Sequence, residues 1–361
     1  MNLQQPCSIL TTTNEEIPPL RKLTEEEKDQ ELLRSLPSKS GWISTRYYNY
    51  QGFWQDPIFL QAILNFQKHF EAQPSDILLV TGPKSGTVWL KALVFFLVNR
   101  SLYPEPKKNH PFMTSNPHDL VPFLEVWLYI DNKVPDFSTF DSPRILSSHL
   151  PFVSMPPSVK DSACKIVYLC RNPKDTLVSM WHFTTKLRSA DEGVLPFEEA
   201  FDKFCKGVTV NGPYWDHELE YWKESLEKPL KVLFLKYEEL KKQPHENLKK
   251  LAEFLGCPFS LEEEENGDVE NILKFCSFEN LSNMEINVSG KLSIGIENKI
   301  YFRPGLVGDY VNHLSPEMIQ RLDQITQEKF NVHGLQVVSK LHILFLNVQN
   351  ENLKETRKES Q

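Results

Sequence analysis

The sequence predicts an α/β fold: one domain with a mostly parallel central sheet flanked by helices, and a P-loop-like phosphate-binding loop. Three short apolar runs, at residues 76–81, 165–170 and 231–235, are typical of buried strands. Strands that alternate with helical segments favour a parallel sheet. The first run is broken by Pro83 and Gly86 and leads into an apolar helical segment. A turn of this kind, between a strand and a helix start, is where proteins often hold an anion.

Helices are predicted wherever apolar residues recur every three or four positions. Thr24 and Glu27 match a capping box at the start of the first helix. A fourth short strand is predicted from Arg144 to Ser148. The predicted helices cover residues 24–36, 57–69, 88–98, 175–186, 215–226 and 244–255.

The organisation along the chain predicts one folded domain with a segment on each side of it. Residues 1–40 are polar and charged, and we expect a flexible N-terminal arm. Residues 41–334 carry the strand and helix patterns of the domain, without an internal repeat or a domain linker. Residues 335–361 combine a short apolar run with a charged end, and we expect a C-terminal extension.

Composition narrows the class of protein. The 361 residues are 40% apolar, enough for a substantial core, and the net charge of −8 argues against non-specific nucleic-acid binding. No run approaches the roughly 18 apolar residues of a membrane span. The first 20 residues lack a signal-peptide pattern, so we expect a cytoplasmic protein. Six cysteines without a closely spaced pair indicate reduced thiols, as in intracellular proteins.

The loop Thr81-Gly82-Pro83-Lys84-Ser85-Gly86-Thr87 is the first candidate site. A helix start offers free N–H groups and positive dipole charge, and Gly86 lets the backbone approach a ligand closely. Lys84 adds a full positive charge, and Ser85 and Thr87 add hydroxyl donors. The pattern differs from the Walker sequence G-x-x-x-x-G-K-[ST]. The alternative interpretation is an ordinary strand-to-helix turn with a solvated lysine.

Residues 83–89, Pro-Lys-Ser-Gly-Thr-Val-Trp, closely resemble the PKSGTTW signature of the cytosolic sulfotransferases. That family uses the loop to hold the 5′ end of 3′-phosphoadenosine 5′-phosphosulfate (PAPS). Further segments match the family in order, at residues 143–151, 171–175, 235–238 and 302–309, and the resemblance runs from about residue 41 to 334. Residues 52–54 and 115–119 are similar to the plant branch, whose members sulfonate flavonoids, hydroxyjasmonates, steroids and other small hydroxylated molecules.

The resemblance implies an enzyme that transfers a sulfuryl group from PAPS to a hydroxyl of a small acceptor by in-line attack. His149, in the segment ending Ser-His-Leu-Pro, is the implied general base, since an imidazole titrates near neutral pH. Lys84 would stabilise the leaving phosphate, where negative charge builds up as the bond to sulfur breaks. PAPS is the implied co-substrate, and no metal is implied.

The family's donor contacts fall on residues of five segments. Arg171 and Ser179, two helical turns apart, would bind the 3′-phosphate together with the C-terminal loop, and Trp89 and Phe278 would stack on adenine. The implied donor residues are Lys84, Ser85, Gly86, Thr87, Val88, Trp89, Arg171, Ser179, Tyr237, Phe278, Arg303, Pro304 and Gly305. For the acceptor we expect an apolar pocket with His118 and Phe183; Phe112, Trp181 and Tyr214 fit a pocket or the core equally well.

Three positions depart from the family pattern and keep alternatives open. Gly82 replaces an aromatic residue, Val88 a threonine of the 5′-phosphate site, and Pro304 the lysine of the RKG motif. The alternative function is therefore a PAPS-binding relative with weak or no catalysis. Two other classes of protein are not favoured. A nucleoside-triphosphate kinase would need a Walker loop, and we find none. A membrane-anchored carbohydrate sulfotransferase would need an N-terminal anchor, which we do not find either. Because the dimer motif of animal members is absent, we favour a monomer, with no nucleic-acid or membrane partner.

Overall fold

Seven β-strands and sixteen α-helices lie in the part of the chain that the computed structural model describes, residues 24–104, 106–188, 191 and 193–336. The strands are β1 (Ser38–Ser40), β2 (Arg46–Tyr50), β3 (Phe53–Gln55), β4 (Ile77–Thr81), β5 (Ile145–Ser148), β6 (Lys165–Cys170) and β7 (Val232–Lys236). The helices are α1 (Glu25–Ser35), α2 (Pro57–His69), α3 (Thr87–Asn99), α4 (Pro106–Asn109), α5 (Pro117–Leu120), α6 (Pro157–Asp161), α7 (Pro173–Leu187), α8 (Phe197–Cys205), α9 (Tyr214–Glu227), α10 (Tyr237–Lys242), α11 (Pro244–Leu255), α12 (Leu261–Glu265), α13 (Asp268–Phe275), α14 (Phe278–Asn283), α15 (Glu285–Ser289) and α16 (Pro316–Phe330).

The central sheet contains β4, β5, β6 and β7 in the order β5-β4-β6-β7, and every neighbouring pair is parallel. The register brings the ends of the strands level, since Val80 of β4 lies beside Ser148 of β5 and Tyr168 of β6. All four strands predicted from the sequence are present, with ends that differ by at most one residue. The parallel α/β architecture is therefore confirmed.

Both faces of the central sheet are buried, because successive residues of each strand enter different cores. On β4, Leu78 and Val80 belong to the core that contains α7 and α9, whereas Ile77 and Leu79 belong to the core that contains α3 and α11. Strand β6 divides its residues in the same way. This explains why the strands read as continuous apolar runs in the sequence.

A second sheet, which the sequence analysis missed, contains β1, β2 and β3 in antiparallel order. Its third strand is bonded to a distant loop: the N–H of Trp54 donates to the carbonyl of Gly212 at 2.7 Å, and Asn211 donates back to the carbonyl of Trp54 at 2.8 Å. Strands of three to five residues are too short to show an alternating pattern.

The chain divides between Ser35 and Leu36 into two compact units. In the first unit, helix α1 begins at the predicted capping box, where the Thr24 N–H donates to the Glu27 carboxylate at 2.8 Å and the Glu27 N–H donates to the Thr24 hydroxyl at 3.2 Å. Residues 1–23 of the predicted arm and nearly all of the predicted C-terminal extension lie outside the described residues. The predicted boundaries at 40 and 334 stay predictions.

The carboxyl ends of the four parallel strands bring the candidate residues to one edge of the sheet. Strand β4 runs into the loop of Lys84, β5 ends just before His149, β6 just before Arg171, and β7 just before Tyr237. The connection from β4 runs to β5 on one side, whereas the connection from the neighbouring β6 runs to β7 on the other side. Such a switch point opens a crevice at the carboxyl edge. This position is where ligands bind in open α/β sheets.

Candidate active site

A cavity of about 420 Å³ opens at the carboxyl edge of the central sheet. It has a polar end, near the phosphate loop, and a largely aromatic end. Most of the residues predicted for donor and acceptor binding line it together. They are Lys84, Gly86, Thr87, Val88, Trp89, His118, His149, Arg171, Ser179, Phe183, Tyr237, Phe278, Arg303 and Gly305.

The phosphate loop turns from β4 into α3 through two residues with positive φ. Gly86 precedes the helix with φ 109° and no side-chain cap, so the first N–H groups of this 13-residue helix are free to bind an anion. A Cβ at Gly86 would lie 2.8 Å from Cδ2 of Tyr237. Glycine is therefore required both by the backbone conformation and by the space.

Lys84 is half-buried at the centre of the cavity, with Nζ 4.0 Å from the centre of the Phe183 ring. Burial is the main cause that lowers the pKa of Lys84 to about 7, and the positive charges of Arg171, Lys186 and Arg303 lower it further. An anion bound among these groups would favour the ammonium form. The loop therefore carries a cation whose charge depends on occupancy of the site.

Two of the predicted donor residues do not line the cavity. The side chain of Ser85 is buried beneath the loop, and its hydroxyl has no hydrogen-bond partner among the described residues. Pro304 also lies outside the lining, and its carbonyl accepts from the N–H of Leu306 at 2.8 Å. Lys84 and Gly305 line the cavity, whereas their neighbours Ser85 and Pro304 are buried beneath the loop and exposed on the surface, respectively. No side-chain contact with a ligand in this cavity is supported for Ser85 or Pro304.

His149 follows β5 and is held from several sides. Its Nδ1 lies 2.7 Å from the carbonyl oxygen of Thr81, and since a carbonyl only accepts, Nδ1 carries the proton. The backbone N–H of His149 donates to Oε1 of the buried Glu125 at 2.6 Å. The remaining nitrogen, Nε2, is therefore an unprotonated acceptor in a ring that lines the cavity.

Burial lowers the pKa of His149 to about 3, and the charges of Lys91 and Lys84 act in the same direction, whereas the bond to Thr81 raises it. The imidazole is consequently neutral at physiological pH in the free protein. A second buried histidine supports the backbone at this point, because Nε2 of His217 donates to the carbonyl of His149 at 2.9 Å. Neither Glu125 nor His217 was identified from the sequence, since their partners are distant along the chain.

Arg171, at the end of β6, connects the phosphate loop to the C-terminal loop. Its guanidinium donates to the carbonyl of Lys84 at 3.3 Å and to that of Leu306 at 3.0 Å. Nε is buried and has no partner among the described residues, and the side chain is only 4% exposed. Ser179, two turns into α7, lines the same part of the cavity. The predicted pairing of Arg171 with Ser179 at one subsite is consistent with these positions.

The C-terminal loop is tied to the start of α7 by a carboxylate. Asp175 accepts from the N–H of Gly308 at 2.8 Å and from that of Tyr310 at 3.1 Å. Arg303 on this loop lines the cavity and also pairs with Asp309, and it contacts Nε2 of His313 at 3.2 Å. The loop is thus positioned by backbone bonds, with its arginine partly neutralised by its own aspartate.

Aromatic groups surround the space beside the phosphate loop. Trp89 and Tyr237 meet edge to face with ring centres 5.4 Å apart, and the Tyr237 hydroxyl donates to the carbonyl of Gly305 at 2.8 Å. Phe278 lines the same end. Lys241, one turn along α10 from Tyr237, lies 5.2 Å from the Trp89 ring and was missed, because an exposed lysine on a helix carries no distinctive signal.

The other end of the cavity is largely aromatic and apolar. Phe183 and His118, the two residues predicted for the acceptor, line the cavity close to Tyr301, whose ring centre is 5.4 Å from Phe183 and 4.6 Å from His118. Tyr301 was missed, as were several neighbours: Ile43, Gln55, Val126, Trp127, Val210 and Ile296.

The candidates that fitted a pocket or the core equally well belong to the core. Phe112 is fully buried away from the cavity. The indole N–H of Trp181 donates to the carbonyl of Leu195, and the Tyr214 hydroxyl donates to the carbonyl of Arg171. Large aromatic residues most often fill cores, and pattern alone does not separate the two environments.

The polar end fits a nucleotide with several phosphate oxygens. Lys84, Arg171 and Arg303 supply positive charge, and the helix start of α3 supplies N–H groups. The buried Nε of Arg171 is an unfilled donor. Within the described residues, no group of histidine, cysteine or acidic side chains is arranged to hold a metal ion. Among the helices of these residues, none has the length and apolar character needed to cross a membrane.

Comparison with known proteins places this arrangement in a family. Residues 74–334 match the sulfotransferase domain family. Cytosolic sulfotransferase 12 of Arabidopsis thaliana is 50% identical over 321 residues, which is 88% of this chain and 97% of that protein. Cytosolic sulfotransferase 5 of the same plant is 49% identical over 310 residues, covering 86% and 96%.

This chain belongs to the plant cytosolic sulfotransferases. The family and the relatives make it an enzyme, a sulfotransferase, as the sequence motifs implied.

Solved structures agree with this assignment. A sulphotransferase of Arabidopsis thaliana is 45% identical with a TM-score of 0.69, covering 88% of this chain and 98% of that one. The mouse sulfotransferase SULT7A1, complexed with PAP, is 27% identical with a TM-score of 0.57. The match covers 78% of this chain and 94% of the mouse chain. PAP is what remains of PAPS after the sulfuryl group has left, and PAPS is the co-substrate of this sulfotransferase. The sulfotransferase fold is confirmed.

Proposed function

We propose that this sulfotransferase moves the sulfuryl group of PAPS to a hydroxyl of a small acceptor by in-line attack, with His149 as general base and Lys84 stabilising the leaving phosphate. The nucleotide would occupy the polar end of the cavity and the acceptor the aromatic end. In this arrangement the reacting atoms meet between Lys84 and His149. The bound PAPS supplies an activated sulfuryl group.

One observation carries the proposal most directly: Nδ1–H of His149 is bonded to the carbonyl of Thr81 at 2.7 Å. This bond leaves Nε2 as the proton acceptor and sets the orientation of the ring. Because Thr81 is the last residue of β4, the strand that carries the phosphate loop also orients the base. A positioned imidazole of this kind typically contributes a factor of about 10² to 10⁴ in rate.

The low pKa of His149 in the free protein is compatible with this role. Burial and the nearby lysines oppose a positive charge on the ring. The negative charge of bound PAPS would offset the lysines and favour the imidazolium that forms as the hydroxyl is deprotonated. In the same way, Lys84 would gain full charge from the donor and act where negative charge increases in the transition state.

The acceptor is proposed to be a small, mostly apolar molecule with a phenol or alcohol group, such as a flavonoid, a hydroxyjasmonate or a steroid. The aromatic lining and the plant relatives support this class. We also propose a cytoplasmic location, in line with the names of the relatives, and a monomeric enzyme with residues 41–334 as its functional domain.

The alternative, a PAPS-binding relative with weak or no catalysis, is favoured by one observation. Val88 lines the cavity at the helix start and offers no hydroxyl. The loss of one hydrogen bond to a charged group corresponds to about 1.5–3 kcal/mol of binding free energy. Valine in place of threonine at position 88 would therefore weaken donor binding, while Lys84 and His149 are both retained.

The deciding experiment measures transfer from radiolabelled PAPS to a panel of flavonols, hydroxyjasmonate and steroids, beside PAP binding by calorimetry. We expect transfer by the wild type, a loss of at least about 100-fold in His149→Gln, and unchanged PAP affinity. Retained transfer in His149→Gln would remove His149 from its role. PAP binding without transfer to any acceptor would favour the binding-only alternative, and Val88→Thr would then be expected to strengthen PAP binding.

A further inference from the structure

Lys91 and His118 form a buried pair beside the aromatic end of the cavity. Nζ of Lys91 lies 3.0 Å from Nδ1 of His118, and the two side chains are 0% and 3% exposed. His118 lines the cavity, whereas Lys91 lies behind it on α3. The backbone N–H of His118 is bonded to Asn116 at 2.8 Å, which holds the residue at the start of α5.

The contacts of Lys91 indicate the direction of this hydrogen bond. Its Nζ lies 3.4 Å from the centre of the Phe123 ring and 5.5 Å from that of Trp127, positions that suit an ammonium group. Burial lowers the pKa of Lys91 well below its usual range; the negative charges of Glu125 and Asp119 partly oppose this effect, and the two aromatic rings also favour the ammonium form. An ammonium group only donates, so Nδ1 of His118 accepts and the single ring proton lies on Nε2.

Nε2 of His118 has no hydrogen-bond partner among the described residues, although the ring is almost fully buried. Its surroundings are aromatic: the ring centres of Phe123, Trp127 and Tyr301 lie 5.3, 5.9 and 4.6 Å away. These three residues line the cavity as well. A ligand in the cavity that accepts from this N–H gains a hydrogen bond, whereas a ligand that covers it without accepting leaves the N–H unpaired, which is costly.

We propose that Nε2–H of His118 donates to a second oxygen of the acceptor, of carbonyl or carboxylate type, and that Lys91 positions this donor by holding the ring in its Nε2–H form. The inference rests on the proposed function, because it assigns the aromatic end to the acceptor. His118 and His149 both contact Phe123, with ring centres 5.3 and 4.6 Å away, so one small molecule reaches both imidazoles. The reacting hydroxyl lies at His149 and the second oxygen at His118.

The pair selects acceptors by hydrogen-bonding capacity. An acceptor that lacks the second oxygen leaves Nε2–H unpaired in an aromatic environment, so it binds more weakly. Burial and nearby positive charges lower the pKa of His118 well below its usual range, so its ring is neutral. The second oxygen is therefore recognised by a neutral N–H donor. His118 is thus a specificity-determining residue, and Lys91 is its positioning residue.

The test compares 4-(4-hydroxyphenyl)butan-2-one with 4-butylphenol, which lacks only the carbonyl. The carbonyl is insulated from the ring, so the two phenols have similar acidity. Binding of each to the enzyme–PAP complex is measured by calorimetry, and kcat/KM for each is measured with PAPS. We expect the ketone to be preferred about 2- to 13-fold in both measurements, the range of one neutral hydrogen bond.

Three variants separate this role from a structural one. His118→Leu should abolish the preference for the ketone. His118→Gln should keep part of that preference, because the glutamine amide donates a hydrogen bond. Lys91→Met should reduce the preference while 4-butylphenol is still sulfonated. His110→Asn is the control: His110 is buried outside the cavity, and Asn preserves its cap on the Phe112 N–H. Its preference should match the wild type.

Binding and transfer distinguish failure of the inference from failure of the proposed function. Equal binding of the two phenols, or no binding of either to the PAP complex, would overturn the role of His118. An unchanged preference in His118→Leu would do the same. Preferential binding of the ketone without transfer would support the inference and contradict the proposed catalysis.

Discussion

At the scale of single residues, the central feature is a set of cations whose charge state the protein environment shifts. Lys84 is the clearest case, with a pKa lowered to about 7 by burial and by Arg171, Lys186 and Arg303. A bound anion reverses part of this effect, so the pKa in the complex is higher than in the free protein. Donor binding is therefore coupled to uptake of a proton by Lys84.

The consequence is a pH dependence of PAP affinity. Below pH 7, Lys84 is charged in both the free protein and the PAP complex, so it contributes no pH dependence. Above pH 7, Lys84 loses its proton in the free protein. PAP affinity therefore falls as pH rises, by up to about tenfold per pH unit. Calorimetry between pH 7 and pH 9, in two buffers of different ionisation enthalpy, measures both the affinity and the proton uptake.

Lys84→Arg is the matched control, because a guanidinium stays charged throughout this range. Its affinity should vary less with pH than that of the wild type, and the remaining slope reports the nucleotide and the other groups. Identical slopes in the two proteins would show that Lys84 does not titrate as described.

At the scale of elements, the site depends on loops that are held by backbone hydrogen bonds to a few charged side chains. The C-terminal loop, residues 302–309, carries Arg303 and Gly305 and is held by Asp175 at the start of α7. Both bonds of Asp175 require a carboxylate, since each of its oxygens accepts one N–H. Arg171 and Tyr237 also donate to carbonyls of this loop, at Leu306 and Gly305.

We therefore predict that Asp175→Asn loosens this loop, because the amide keeps one acceptor and places an NH₂ group against the other N–H. Hydrogen exchange at Gly308 and Tyr310 should accelerate by about 10- to 100-fold, as expected for loss of a hydrogen bond to a charged group. PAP affinity should fall as well, because Arg303 lies on the same loop.

Glu297→Gln provides a control of the same chemical type. Glu297 pairs with Lys299 on an exposed surface a few residues before the loop. Surface pairs contribute little, so exchange and PAP affinity should stay unchanged. If Asp175→Asn left the exchange of Gly308 unaltered, the loop would have to be held by other contacts.

At the scale of the whole molecule, one buried carboxyl opposes stability. Glu218 on α9 is fully buried beneath the phosphate loop, where a Cβ at Gly82 would lie 3.6 Å from its Oε1. Its oxygens form no hydrogen bond within ordinary limits, although the hydroxyls of Tyr168 and Tyr214 lie near enough to favour the ionised form. Burial dominates and raises the pKa of Glu218 well above its usual range.

A raised pKa in the folded state makes the free energy of unfolding decrease with rising pH. The contribution of Glu218 is fully favourable below its unfolded pKa of about 4.3 and is lost as pH rises through the folded pKa. We predict that Glu218→Leu is more stable than the wild type at pH 8 by about 1–3 kcal/mol, the cost of an unpartnered buried polar group. Urea unfolding at pH 5.5 and pH 8 measures this difference.

The difference between the two proteins should increase from pH 5.5 to pH 8. Glu262→Gln is the control, because it alters an exposed carboxyl, and its stability difference from the wild type should not change with pH. Glu264→Leu would be unsuitable, because it breaks an exposed pair with Lys249. A constant difference across this range would mean that Glu218 is already ionised in the folded protein at pH 5.5, so that its pKa is not raised as described.

The elements that sequence reasoning predicted correctly are those with a strong local signal. The four strands of the central sheet are buried on both faces and therefore read as apolar runs. Helices such as α2 and α11 show the period of a helix that is buried on one side. The three-stranded sheet was missed because its strands are short and because its third strand, β3, is bonded to the distant residues 211 and 212.

By itself, the sequence determined the family and the parallel sheet and predicted a set of donor residues, because each is encoded in contiguous segments such as 83–89 or 171–175. Only the tertiary structure decided which of those side chains reach the cavity, and it turned Ser85 and Pro304 away. It also supplied the groups that act from a distance in sequence: Glu125 on His149, Lys91 on His118, and Glu218 beneath Gly82. The physical reason is that hydrogen bonds and burial depend on separation in space, and folding brings together residues that no local pattern connects.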